Sequence, residues 1–129
     1  MAKKAKTDWG VSKEAARVHR EALVWDNTLP WTSGNMVERR ATYLPRMKAS
    51  GYDVVSLTLG GDRTKMPESI KKIAEERNYF LAHPDDYVLV EKAEDIERAK
   101  REEKLGIIFH FQGTNPVNYD INMVETYYQ

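Results

Sequence analysis

Three short polar clusters interrupt apolar runs in this sequence: Asp26-Asn27-Thr28, Gly60-Gly61-Asp62 and Gln112-Gly113-Thr114-Asn115. The carboxylate of Asp26 could ligate a cation, orient a water molecule or accept backbone amides. The amides of Asn27 and Gln112 and the hydroxyl of Thr28 each donate and accept hydrogen bonds. Side chains alternate along a strand, so Asp26 and Thr28 are expected on one face, and His110 and Gln112 likewise on one face. If those faces point inward, they converge. A plainer role stands beside each: Asp26 as a loop carboxylate capping local amides, His110 as a satisfied core histidine inside an apolar strand, and Gln112 as a structural hydrogen-bonding amide. His19 reads as helix surface and His83, beside Pro84, as a loop residue. Gly60 and Gly61 read as a turn, because no second part of a phosphate-loop pattern follows them.

Such groups need a scaffold, and the patterning supplies one. Residues 12–22 (SKEAARVHREA) offer a Ser N-cap and apolar Ala15, Val18 and Ala22 at helical spacing. Residues 23–28 read as a strand that runs into Leu29-Pro30-Trp31 and a polar loop. Asn35 and Glu38 form a capping-box-like start for a helix over 36–50, with Gly51 as its C′ residue and Pro45 expected to kink or split it. Residues 53–59 (DVVSLTL) read as a second strand, and Pro67 opens a helix over 67–82. A brief strand over 87–90, a charged helix over 93–104, whose Lys and Glu run reads as a solvated face, and a nearly all-apolar strand over 106–111 follow. A last helix starts near residue 120. Helices alternating with buried strands predict an α/β chain of mostly parallel strands. In such folds ligand-binding and catalytic groups gather at the C-terminal strand ends, where all three polar clusters fall.

Composition narrows the choices. The chain has 129 residues, a length suited to one domain, and equal counts of basic and acidic residues (20 and 20), so no global charge invites nucleic acid. Without cysteine, any metal must be held by His, carboxylate or amide groups. The basic start Met1-Ala2-Lys3-Lys4-Ala5-Lys6 is followed by no apolar run of signal length, and no stretch approaches the ~20 apolar residues of a membrane span. A cytoplasmic protein that acts without membrane or nucleic acid is the expectation. A complete flavodoxin-like domain would need a phosphate-binding turn, which the sequence lacks.

At these same residues the sequence resembles the membrane dipeptidase (renal dipeptidase) family of zinc hydrolases. His19 to Trp31 resembles the family's first strand, in which an apolar run leads into a His-x-Asp metal motif followed by Leu-Pro-Trp. Lys104 to Gly113, followed by Asp120 to Gln129, resembles the strand that ends in the family's bridging glutamate and the helix behind it. The resemblance implies a TIM-type (β/α)8 barrel with zinc ions, one or two, at its C-terminal mouth, and cleavage of a dipeptide or related amide by zinc-activated water. It places Asp26 where the family has its metal-binding His, Thr28 where it has Asp, and Gln112 at the bridging Glu. Asp26 and Gln112 are thus the expected metal-site residues, and Asn27 and Thr28 the expected substrate-binding ones. Thr28 is a poor zinc ligand, and neutral Gln112 supplies no bridging anion. A degenerate, non-catalytic barrel that binds a small peptide-like or amino-acid-like ligand is therefore the alternative. Such a barrel typically takes ~250 residues, so residues 1–129 are expected to be its N-terminal half, inactive alone, weak or lacking in zinc, and prone to pair with copies through open strand edges.

Overall fold

The computed structural model describes residues 10–32 and 34–128; the basic start at residues 1–6 and Ser33 lie outside the described residues. Strands and helices alternate in the order α1 (Lys13–Glu21), β1 (Trp25–Pro30), α2 (Met36–Ala49), β2 (Val54–Gly61), α3 (Met66–Leu81), β3 (Tyr87–Leu89), α4 (Ala93–Arg101), β4 (Leu105–Gln112) and α5 (Asn122–Tyr128), with one 3-10 turn at Asn115–Val117. All strand pairs are parallel. The chain has the α/β layout of part of a TIM-type barrel. No helix among the described residues is long and apolar enough to cross a membrane.

Local chemistry explains the boundaries. Ser12 caps α1 by accepting from the Ala15 amide at 3.1 Å. Asn35 caps α2 by accepting from the amides of Val37 and Glu38 at 3.1 and 3.4 Å. That helix ends in a left-handed Gly51 (φ +89°), whose N–H bonds Lys48 O while Tyr52 N–H reaches back to Met47 O, a closing pattern that satisfies the last carbonyls. Pro45 does not split α2. The helix runs through it with Leu44 fully buried beside it, because proline removes only one ladder amide and here lies on the exposed side.

The sheet order is β1-β2-β4-β3. In a regular barrel consecutive strands are neighbours, whereas here β4 pairs with β2 along its length and β3 joins the outer edge of β4 only at Leu105–Ile107. The helices cover one face: Val55, Leu57 and Leu59 from β2, Ile107 from β4, Leu44 from α2 and Phe80 from α3 form one core cluster with Trp31. A buried ion cluster joins α2 to α3, with Arg40 and Lys72 both on the fully buried carboxylate of Glu76. At the N-terminal end of the sheet, Asp53 accepts from the Val24 amide (2.9 Å) and from Lys100 (2.8 Å), which also donates to Ala22 O. This clamp ties α4 to the start of the sheet, the end where barrel folds place stability rather than chemistry.

Candidate functional site

The face of the sheet opposite the helices carries the polar residues. Paired residues of a parallel ladder share a face, and Trp25 pairs with Val54 while Thr58 pairs with His110, all offset by one from the core positions Val55 and Leu57. Two contacts knit this face. Trp25 Nε1 donates to Ser56 Oγ at 3.0 Å, and Thr58 Oγ1 lies 2.9 Å from His110 Nε2. Burial holds the His110 imidazole below its ordinary pKa, which keeps it neutral, and its Nδ1 is sealed from solvent with no partner among the described residues.

Two register shifts shape the strand ends. Asp26 pairs with Val55 and Leu29 with Leu57, so Asn27 and Thr28 together stand against Ser56 alone. This two-against-one bulge interrupts the strict alternation that would have put Asp26 and Thr28 on one face. Asp26 Oδ1 accepts from the Thr28 amide at 2.9 Å, a local turn that closes the bulge. The second shift lies between Thr58 and Gly60. Gly60 packs closely against Ser69, Phe111 and Pro116, where a Cβ would meet side-chain atoms at 3.0–3.1 Å and those neighbours would have to give by a few tenths of an ångström. β4 itself alternates regularly, and Gln112, level with Gly61, follows His110 on the same face.

Asn27, Thr28 and Gln112 are exposed and Asp26 is half-buried. The bulge that holds Asn27 and Thr28 lies between the levels of Val55 and Leu57 on β2, and Gln112 pairs with Gly61, with the Thr58–His110 pair between those two levels. Their supports are rigid. Trp31, just beyond β1, is fully buried, and Arg39 donates to Pro30 O at 2.7 Å while its guanidinium lies over the Trp31 ring. The ends of β2 and β4 are joined by Asn115, whose side-chain amide donates to Asp62 O, and by Gly113, which packs directly against Asp62. The patterning alone missed the roles of Ser56 and Thr58. Their i, i+2 spacing inside an otherwise apolar strand was the available signal, because buried hydroxyls require partners.

A groove of about 920 Å³ lies elsewhere, along the outer edge of β4, lined by Ile70 and Ile73 of α3, Ile108 and Phe109 of β4, and Tyr127 and Tyr128 of α5. Beyond Ile107 this edge of β4 has no strand partner among the described residues.

No protein-family model matches the chain, and no curated protein matches it. A solved structure, an amidohydrolase from Pseudomonas aeruginosa, is similar with a TM-score of 0.75 and 21% sequence identity, covering 88% of this chain and 33% of that one. The chain thus spans about a third of that protein's length. The likeness establishes the fold, a parallel α/β arrangement shared with part of an amidohydrolase; it does not single out the membrane dipeptidase family.

The zinc centre implied by the sequence resemblance meets an unsuitable donor set in this segment. Among the described residues no group of three His, Cys, Asp or Glu side chains could hold a metal ion. Asp26 is engaged with its own strand, Gln112 is neutral, and the His110 nitrogens are respectively paired and sealed. These residues do not fit a zinc ion.

Proposed function

We propose that this chain is the N-terminal part of an amidohydrolase-like barrel that acts on a small, peptide-like amide. Asn27, Thr28 and Gln112 serve in it as hydrogen-bonding groups for the substrate. The observation that carries this reading is the position of these residues at the C-terminal ends of β1 and β4, where parallel α/β folds build their sites, in a chain whose fold matches part of an amidohydrolase. Hydrolysis by zinc-activated water, the dipeptidase form of the reaction, would draw its metal ligands from residues outside this segment.

The test is release of free amino acids from a panel of L- and D-dipeptides by a protein that carries this segment within a complete barrel. Turnover that falls at least about tenfold in Thr28→Ala and Gln112→Ala supports the reading, since each removes a hydrogen bond to the reacting amide. A second reading, a barrel that binds such a ligand without cleaving it, is favoured by the neutrality of Gln112 and the local engagement of Asp26. Binding without turnover across the panel would select it.

A further inference from the structure

We infer that a second copy of this chain docks on the free outer edge of β4, strand against strand and antiparallel, about a two-fold axis at His110. The inference is separate from the proposed function, and it gives the expected pairing of copies one edge and one register. It starts from backbone groups. In a parallel ladder alternate residues turn both N–H and C=O to the same neighbour. On the outer side of β4, Leu105 N–H donates to Asp86 O and Ile107 O accepts from Val90 N–H, whereas Gly106 N–H turns the other way, to Asp53 O. By that alternation Phe109 and Phe111 also face outward, and β3 has ended before it reaches them.

The two edges of the sheet are built differently. The β1 edge carries a bulge, Asp26 and Pro30, each of which discourages a further strand. The β4 edge from Ile108 to Gln112 carries no charge and no proline, and Ile108 and Phe109 on it line the groove of about 920 Å³ beside α3 and α5. An edge left in this state accepts a strand.

Pattern identifies the occupant. On the helix side it must be apolar, because there Phe109 lies against Phe80 and Phe111 against Tyr127, with ring centroids 6.0 and 4.8 Å apart. On the other side it must be polar, to lie beside His110 and Gln112. β4 itself has this pattern. A two-fold axis normal to the sheet lays β4 antiparallel on its copy and keeps each face with its like. Centred on His110, it pairs Phe109 with Phe111 of the second copy and the reverse, so the outward N–H groups find carbonyls and aromatic rings meet across the strands. A register centred on Phe109 would bring the copy onto Ile107, whose outer side Val90 already holds.

Sedimentation velocity of the 129-residue chain is expected to show twice the monomer mass at about 100 μM and the monomer at about 1 μM. Residue-resolved hydrogen exchange should find the Phe109 and Phe111 amides protected when concentrated and open when dilute. Because the sequence has no cysteine, His110→Cys places a lone thiol on the axis, where facing Cα atoms stand about 4.5 Å apart, and mild oxidation should give a covalent dimer. Asn27→Cys, on the β1 edge, should give none. Ile70→Glu/Tyr128→Glu, at two exposed positions that line the groove, should keep the circular dichroism spectrum and weaken association at least about tenfold.

A monomer at every concentration would overturn the inference, and so would a dimer that leaves those two amides open or cross-links at Asn27 instead. Protection that does not change with concentration would give the seat to a segment of the same chain and overturn it equally. Should His110→Cys fail to fold, hydrogen exchange of the unaltered chain decides. Turnover of dipeptides by a complete barrel, which would seat a strand of its own at this edge, is read independently of these results.

Discussion

Replacing Glu76 should be among the most damaging single changes in this chain, and its size follows from the geometry. The carboxylate is fully buried, with Arg40 at 2.9 Å and Lys72 at 3.3 Å, and the Arg40 guanidinium also lies 4.3 Å from the Tyr79 ring centroid. At such separations and an effective dielectric near 20, each attraction is worth about 5–6 kcal/mol. Desolvating the ions costs several kcal/mol apiece, so the intact cluster nearly balances. Removing the anion alone does not balance. It leaves two cations, 18% and 17% exposed, facing an apolar gap.

Breaking a buried pair typically loses about 3–5 kcal/mol. The residual solvent access of both cations and the retained stacking of Arg40 on Tyr79 bring Glu76→Ala down to about 3 kcal/mol. Urea unfolding followed by circular dichroism should then show a midpoint lower by about 1–2 M, taking a slope near 2 kcal/mol/M. Replacing all three, as Arg40→Met/Lys72→Met/Glu76→Leu, should lie within about 1 kcal/mol of the parent, because no buried charge is stranded. Equal losses in the single and triple variants would refute the reasoning, since they would assign the whole effect to packing.

Two further changes probe the candidate site. Because burial lowers the pKa of His110, the unfolded chain binds the proton more readily than the folded one. Stability should be full above the ordinary imidazole value of 6.5 and decline as pH falls below it, and His110→Gln should flatten that part of the profile in denaturant titrations. A Cβ at Gly113 would stand 2.1 Å from Asp62 Oδ1 and 2.7 Å from its backbone nitrogen, which cannot swing away. Gly113→Ala should therefore force apart the ends of β2 and β4 at a loss of about 1–3 kcal/mol, seen as a lower Tm together with shifted NMR signals from Gln112, and an unchanged Tm would show that the junction yields freely.

What the sequence makes legible here is mostly local. The caps at Ser12 and Asn35, the left-handed Gly51 and Pro67 at the start of α3 set helix limits within a residue or two of the patterning, because each acts on backbone groups within one turn. Strand order is another matter. Tyr87–Leu89 reads as a strand from composition, yet nothing in three residues states that it will flank β4 at the sheet edge rather than sit between β2 and β4.

The candidate site divides along the same line. That Asn27, Thr28 and Gln112 close their strands is visible from residue types, but how they stand to one another is set by β2, which lies between β1 and β4. Its register carries one irregularity on each side, at Asp26/Leu29 and at Thr58/Gly60. A bulge leaves little compositional mark, and one slipped residue exchanges the faces of every side chain beyond it. The His110–Thr58 contact spans 52 residues of sequence and exists only because that register brings the two level. The histidine that looked most like plain core is thus part of the polar face. The aspartate that looked most like a ligand accepts, through Oδ1, the amide of Thr28 inside the β1 bulge, and its strand position pairs with Val55 of the core face.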